Sequence, residues 1–115
     1  MTDPSEDEAR PQARTLGEIA SRLLFENERV RIWEMIMEPG ETGPVHEHEL
    51  DHILIQISGD RMAVIPESDT RGPFEEYLEA DVVPGQYFFV TKGGIERARN
   101  VGDQTYHEIV VELKD

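Results

Sequence analysis

Apolar residues in this chain fall in short runs, many alternating with polar ones, and the runs end at glycine, proline or polar clusters. RVRIWEMIM (29–37) is rich in β-branched and aromatic residues and stops at Pro39-Gly40, a turn signal. HILIQIS (52–58) and RMAVIP (61–66) flank Gly59-Asp60 and predict a hairpin. ESDTRGPF (67–74) is a polar loop, and EYLEADVVPGQYFFV (76–90) splits into two strands at Pro84-Gly85. Beyond Gly93-Gly94, IERARNV (95–101) and TYHEIVVEL (105–113) close the chain. Seven or more short strands at close spacing predict an all-β barrel or double-sheet sandwich. Thr15-Leu16-Gly17-Glu18 fits a capping box and predicts a short N-terminal helix near 16–23, with Leu16, Ile19, Ala20 and Leu23 on its apolar side. Residues 1–14 are polar and acidic without apolar period and read as a flexible tail before a single domain over 15–115.

Three of the four histidines lie within HEHELDH (46–52). On a helix, His48-Glu49-Leu50-Asp51-His52 matches H-E-x-x-H, the zinc-protease pattern, and Leu50, Ile53, Leu54 and Ile57 form an apolar face. On a strand, His46, His48 and His52 share one side, because side chains alternate with period two. Ile53, Ile55 and Ile57 are β-branched at every other position and lead into another strand-like run, which favours the strand. A protease would also need a third ligand and a cleft, for which so short a chain has little room.

Composition narrows the chemistry. With 115 residues the chain suits one core, and no run approaches the roughly 18 to 20 apolar residues of a membrane span. There is no cysteine, so a metal would rest on nitrogen and oxygen donors. A net charge of −14, from 25 acidic against 11 basic residues, repels phosphate backbones and argues against nucleic acid. It also suits a high-salt host. No basic start followed by an apolar stretch is seen, so the cytoplasm is the expected location.

Two glycine-framed spacings carry a family resemblance. Gly40, five residues, His46-Glu47-His48, three residues, His52, six residues, Gly59 resembles the first motif of the cupin superfamily, with histidine where the family has glutamate. Gly85, five residues, Thr91-Lys92-Gly93, two residues, Glu96, three residues, Asn100 resembles the second, with glutamate where the family has histidine and threonine in place of proline. The two metal-ligand departures compensate, leaving three imidazoles and one carboxylate. The resemblance implies a jelly-roll barrel binding one divalent transition metal ion (Fe, Mn, Ni, Cu or Zn) through His46, His48, His52 and Glu96. The chain looks most like the small single-domain cupins, some of them named for β-alanine degradation.

Trp33, Met35, Gln56, Tyr87, Phe89 and His107 are the candidate lining of a substrate pocket. His107 shares parity with Ile109, Val111 and Leu113, so it is expected to face an apolar interior, foremost as a hydrogen-bonded core residue. Arg31 reads as a surface arginine or as a partner for a substrate carboxylate. The expected activity is a mononuclear metal-dependent oxygenase, an oxidoreductase of the dioxygenase kind, acting on a small molecule. Isomerase or lyase chemistry, a metabolite-binding or sensor module, and a structural dimer module with a vestigial site are the alternatives. Ile53, Ile55 and Ile57, opposite the histidine face, point to a covered outer sheet and so to a homodimer, or to cover by the N-terminal helix.

Overall fold

In the computed structural model, Gly17 and residues 20–114 are described, and every regular element among them is a strand. The strands are β1 (Arg22–Glu26), β2 (Val30–Met37), β3 (His46–Glu47), β4 (His52–Ser58), β5 (Arg61–Pro66), β6 (Leu78–Asp81), β7 (Tyr87–Val90), β8 (Ile95–Asn100) and β9 (Tyr106–Leu113). They form a five-stranded sheet in the order β1-β2-β9-β4-β7 and a four-stranded sheet in the order β3-β8-β5-β6, all pairings antiparallel. The expected all-β jelly-roll architecture is therefore present. No helix of the described residues is long and apolar enough to cross a membrane.

Residues 46–57 are not helical, which removes the H-E-x-x-H protease reading. Of the expected N-terminal helix over 16–23, positions 16, 18 and 19 lie outside the described residues, and Gly17, Ala20 and Ser21 are not helical: the Ser21 N–H already donates to the Glu34 carbonyl of β2 at 3.0 Å. Its last two positions, Arg22 and Leu23, begin β1, where they pair with Glu34 and Trp33 of β2. The flexible tail over 1–14 lies outside the described residues as well.

The hairpin expected across Gly59-Asp60 is not formed. β4 pairs with β9 and β7, whereas β5 pairs with β8 and β6, so the chain changes sheets at this corner. Gly59 has φ +132°, and a Cβ there would stand 2.9 Å from the Tyr106 ring. The glycine is thus required by close approach to β9 and by a backbone conformation that L side chains rarely adopt. Asp60 holds the corner by accepting the Asp103 N–H at 3.0 and 3.1 Å.

Between the sheets, Met35, Met37, Val82 and Tyr106 form a buried cluster, with Ala20, Met62 and Ala98 packed against it. Much of the remaining interior is polar: His46, His48, His52, Gln56, Glu96, Asn100, Glu108 and Glu112 are all buried. So many polar groups under cover need partners.

Candidate functional site

The short strand β3 pairs with β8 so that His46 stands directly across from Glu96. One step further, the His48 N–H donates to the Gly94 carbonyl at 2.8 Å and the Gly93 N–H donates to the His48 carbonyl at 2.8 Å. The ladder thus continues past β3 and fixes His48 beside the same carboxylate. The two Nε2 atoms of His46 and His48 lie 3.2 Å apart, and Glu96 Oε2 lies 3.3 Å from His48 Nε2. Donor atoms of His46, His48 and Glu96 all fall within 4.8 Å of one another, a group that could hold a metal ion.

Gly94 lies close beside this group. A Cβ at position 94 would be 3.1 Å from Glu96 Oε1 and 3.7 Å from His48 Cδ2, so the carboxylate would have to give by a few tenths of an ångström.

The donor set fits a transition metal in tautomer as well as position. His46 Nδ1–H donates to the Pro44 carbonyl at 3.1 Å, since a carbonyl can only accept, and this leaves its Nε2 lone pair turned to the site. His52 is set in the same way by the Leu50 carbonyl at 3.0 Å. Burial, aided by the neighbouring His48, lowers the pKa of His46 to about 4 and also lowers that of His52, so both rings are neutral at pH 7. For Glu96, burial works toward a raised pKa. The bond with His48 and the charges of the three imidazoles outweigh it and hold the carboxyl below its ordinary range. His48 Nδ1 is buried without a hydrogen-bond partner, so only its Nε2 side is engaged.

His52 stands outside the three-residue group. Its ring stacks on His48, with centroids 4.1 Å apart and planes 16° apart, while His46 meets His48 edge-on at 4.8 Å. The structure thus brings together three of the four ligands read from the motifs, with the fourth stacked on the middle one.

His46, His48 and Glu96 open onto a cavity of about 220 Å³ between the sheets. Leu54, Met62, Val64, Phe74, Leu78, Phe88 and Val110 supply much of its wall, and Met35, Gln56, Tyr106 and Glu108 also line it. Of the residues expected in the pocket, Met35 and Gln56 are in the wall. Tyr87 and Phe89 are not: they lie on the outer face of β7, 73% and 61% exposed, and Phe88 between them turns inward. Trp33 shares the inner face of β2 with Met35 but lies beyond the cavity, donating its indole N–H to Glu112 Oε1 at 2.8 Å.

His107 also departs from expectation. On β9 the inward residues are Tyr106, Glu108, Val110 and Glu112, so His107 shares the outer face with Ile109, Val111 and Leu113. There its Nε2 meets Glu34 at 2.8 Å, away from the cavity. Arg31 is part-exposed, pairs with Glu112 at 2.7 Å and does not line the cavity. Sequence reading missed Tyr106, Glu108 and Glu112 altogether. Their period-two alternation is visible in TYHEIVVEL, but its more apolar half is the one that faces out.

No family model matches this chain, and no curated protein does. Solved structures do. A cupin domain from Bordetella pertussis Tohama I is similar at TM-score 0.67 and 18% identity, over 86% of this chain and all of that one. A cupin with a double-stranded β-helix fold from Methanocaldococcus jannaschii is similar at TM-score 0.61 and 20% identity, over 85% of this chain and 94% of that one. The polyketide cyclase RemF from Streptomyces resistomycificus is similar at TM-score 0.55 and 21% identity, over 77% of this chain and 57% of that one. At these identities the likeness is one of fold, and the fold is that of cupin domains, the superfamily whose two motifs residues 40–100 resemble.

Proposed function

We propose that the protein is a metal-dependent enzyme acting on a small, mainly apolar molecule, and that its chemistry is that of a mononuclear non-haem oxygenase. The observation that carries this reading is the convergence of His46, His48 and Glu96 in the wall of a largely apolar cavity. Two histidines with one carboxylate are the donor set of non-haem iron oxygenases, and imidazole equally suits Mn, Ni, Cu and Zn. An ion of this kind supplies Lewis acidity and open positions for small ligands. The chain's own residues turn the donors toward the cavity, and burial and the neighbouring groups favour neutral His46 and ionised Glu96. A likeness in fold to a polyketide cyclase supports the capacity of such a barrel to work on small organic molecules.

The test is reconstitution. Chelator-treated protein, purified without a histidine tag, is reloaded with each candidate ion and assayed for oxygen uptake with small phenols, enols and dicarbonyl compounds. The reading expects one ion per chain and restored oxygen uptake, both abolished in H48A. Turnover without oxygen uptake would point to isomerase or lyase chemistry. Thermal stabilisation by a ligand without product would mark a sensor or storage module. Protein that holds no ion and melts at the same temperature with or without chelator would mark a vestigial site.

The same reading includes a homodimer. The outer face of the five-stranded sheet carries Val30, Ile32, Ile53, Ile55, Ile109 and Val111, extended by Phe25, Tyr87 and Phe89. Such a contiguous apolar face supports cover by a second copy.

A further inference from the structure

The cavity holds one acid that the proposed donor set does not use. Glu108, on β9, is buried and lines the same wall as His46, His48 and Glu96. Two other buried acids of this interior have cationic or imidazole partners. Glu96 has His48 at 3.3 Å, and Glu112 has Arg31 at 2.7 Å together with the Trp33 indole. Glu108 has no cation: among the described residues its one side-chain hydrogen bond comes from the Tyr106 hydroxyl. Its neighbours across the ladder, Met35 on β2 and Gln56 on β4, are uncharged, and the charges acting on it across the cavity are those of His48 and Glu96. The remaining charged residues of the wall are engaged elsewhere, Asp81 with Arg61 at 2.6 Å and Arg97 4.0 Å from Glu67.

The direction of the bonds around Glu108 is fixed from the backbone outward. The Val83 N–H donates to Gln56 Oε1 at 3.2 Å, and Gln86 Nε2 donates to the same oxygen at 3.0 Å. Gln56 therefore turns its Nε2 to the Tyr106 hydroxyl and donates to it at 3.2 Å. That hydroxyl has a single proton, which goes to Glu108 Oε1. Among the described residues, Glu108 Oε2 is left without a hydrogen-bond partner in the wall of the cavity.

We propose that Glu108 Oε2 receives a hydroxyl proton from the molecule bound in this cavity, and that this molecule is a small enol or phenol, an apolar body bearing an acidic hydroxyl. The inference rests on the metal-site reading for where the molecule sits. In the step, the ligand O–H bond breaks, its electron pair stays on the ligand oxygen, and a new O–H bond forms at Oε2. Glu108 passes from carboxylate to neutral acid, the form its surroundings favour: burial without a cation pushes its pKa up to about 7, in the range where a base is both available and receptive. A carboxylate ligand would instead add another negative charge beside Glu96 and Glu108, with Arg31 already paired. Tyr106 and Gln56 are positioning residues.

The probe is 4-nitrocatechol, whose colour reports its ionisation, added to Zn(II)-loaded protein at mildly alkaline pH. Calorimetric titration in two buffers of different ionisation heat counts the protons released to solvent per probe bound. In E108Q, which cannot take up the proton, release is expected to rise by roughly one per probe and affinity to fall about tenfold, the loss of one buried hydrogen bond. Zn(II) affinity is expected to stay unchanged. Y106F keeps the acid and is expected to keep the wild-type proton count with weaker probe binding. It also serves as the second variant should E108Q fold poorly. Equal proton counts in E108Q and wild type, a Y106F count raised by one, or loss of Zn(II) in E108Q would each overturn the proposal. Wild type that holds Zn(II) but not the probe overturns the ligand class while leaving the metal site standing. Wild type that holds no Zn(II) sinks both.

Discussion

Buried acids with different neighbours behave differently, and Glu108 gives this interior a measurable pH dependence. Its carboxyl has an ordinary pKa of 4.5 and is raised to about 7 in the fold by burial. The native state therefore binds this proton more tightly than the unfolded chain, and the stability it contributes is complete below 4.5 and lost as pH rises through about 7. His46 has the opposite sign: with its pKa lowered from 6.5 to about 4, its contribution is present above 6.5 and is lost as pH falls through about 4. Comparing chelator-treated wild type with E108Q cancels the histidine effect. The melting temperature of E108Q is expected to gain on wild type progressively as pH rises from about 4.5 to about 7, then run parallel. A constant difference across that range would show that Glu108 titrates normally. At this scale the sequence pointed to His46, His48 and Glu96 through the resemblance of two glycine-framed segments to the cupin motifs. It did not reveal Glu108 or Tyr106, which sit in no motif and whose importance comes from what surrounds them.

The pairing of β3 with β8 brings the three donors together, and Gly94 lies close beside them. In G94A the new methyl would stand 3.1 Å from Glu96 Oε1, so the carboxylate must shift by a few tenths of an ångström. Metal affinity, measured by competition with a coloured chelator, is expected to drop about tenfold, with fold stability changed far less. Unaltered affinity would mean that the carboxylate has slack the geometry does not suggest. Strand existence was legible from β-branched runs and turn residues, and six segments of the sequence reading reappear as strands close to their expected limits. Pairing was not. Gly59-Asp60 has hairpin letters, yet close contact of Gly59 with Tyr106 bends the chain into the other sheet. Strand orientation failed on β7 and β9 for two different reasons. On β9 the outward face is the more apolar, because the inward face carries Tyr106, Glu108 and Glu112, so the rule that the apolar side faces in gives the wrong answer for His107. On β7 both faces are apolar, Phe88 and Val90 inward against Tyr87 and Phe89 outward, so alternation alone does not choose between them.

That inversion belongs to the whole molecule. A barrel that places His, Glu and Gln inside and Ile, Val, Tyr and Phe on one outer sheet has a face that calls for cover. With Phe25, Tyr87 and Phe89 52%, 73% and 61% exposed, burial of this face against a second copy would stabilise the assembly more than any one surface ion pair between its strands. Light scattering behind size exclusion is expected to give a dimer for wild type and a monomer for the double variant Y87E/F89E, with metal content unaffected. A wild-type monomer would instead assign the cover to residues of the same chain. The central claim concerns the inside of the barrel, that His46, His48 and Glu96 together hold one transition metal ion. Its most direct test is elemental analysis of tag-free protein stripped and reloaded, in wild type, H48A and E96Q side by side. The account predicts one ion per chain in wild type and a large loss in both variants. Wild type that retains no ion, or variants that retain as much as wild type, would contradict it.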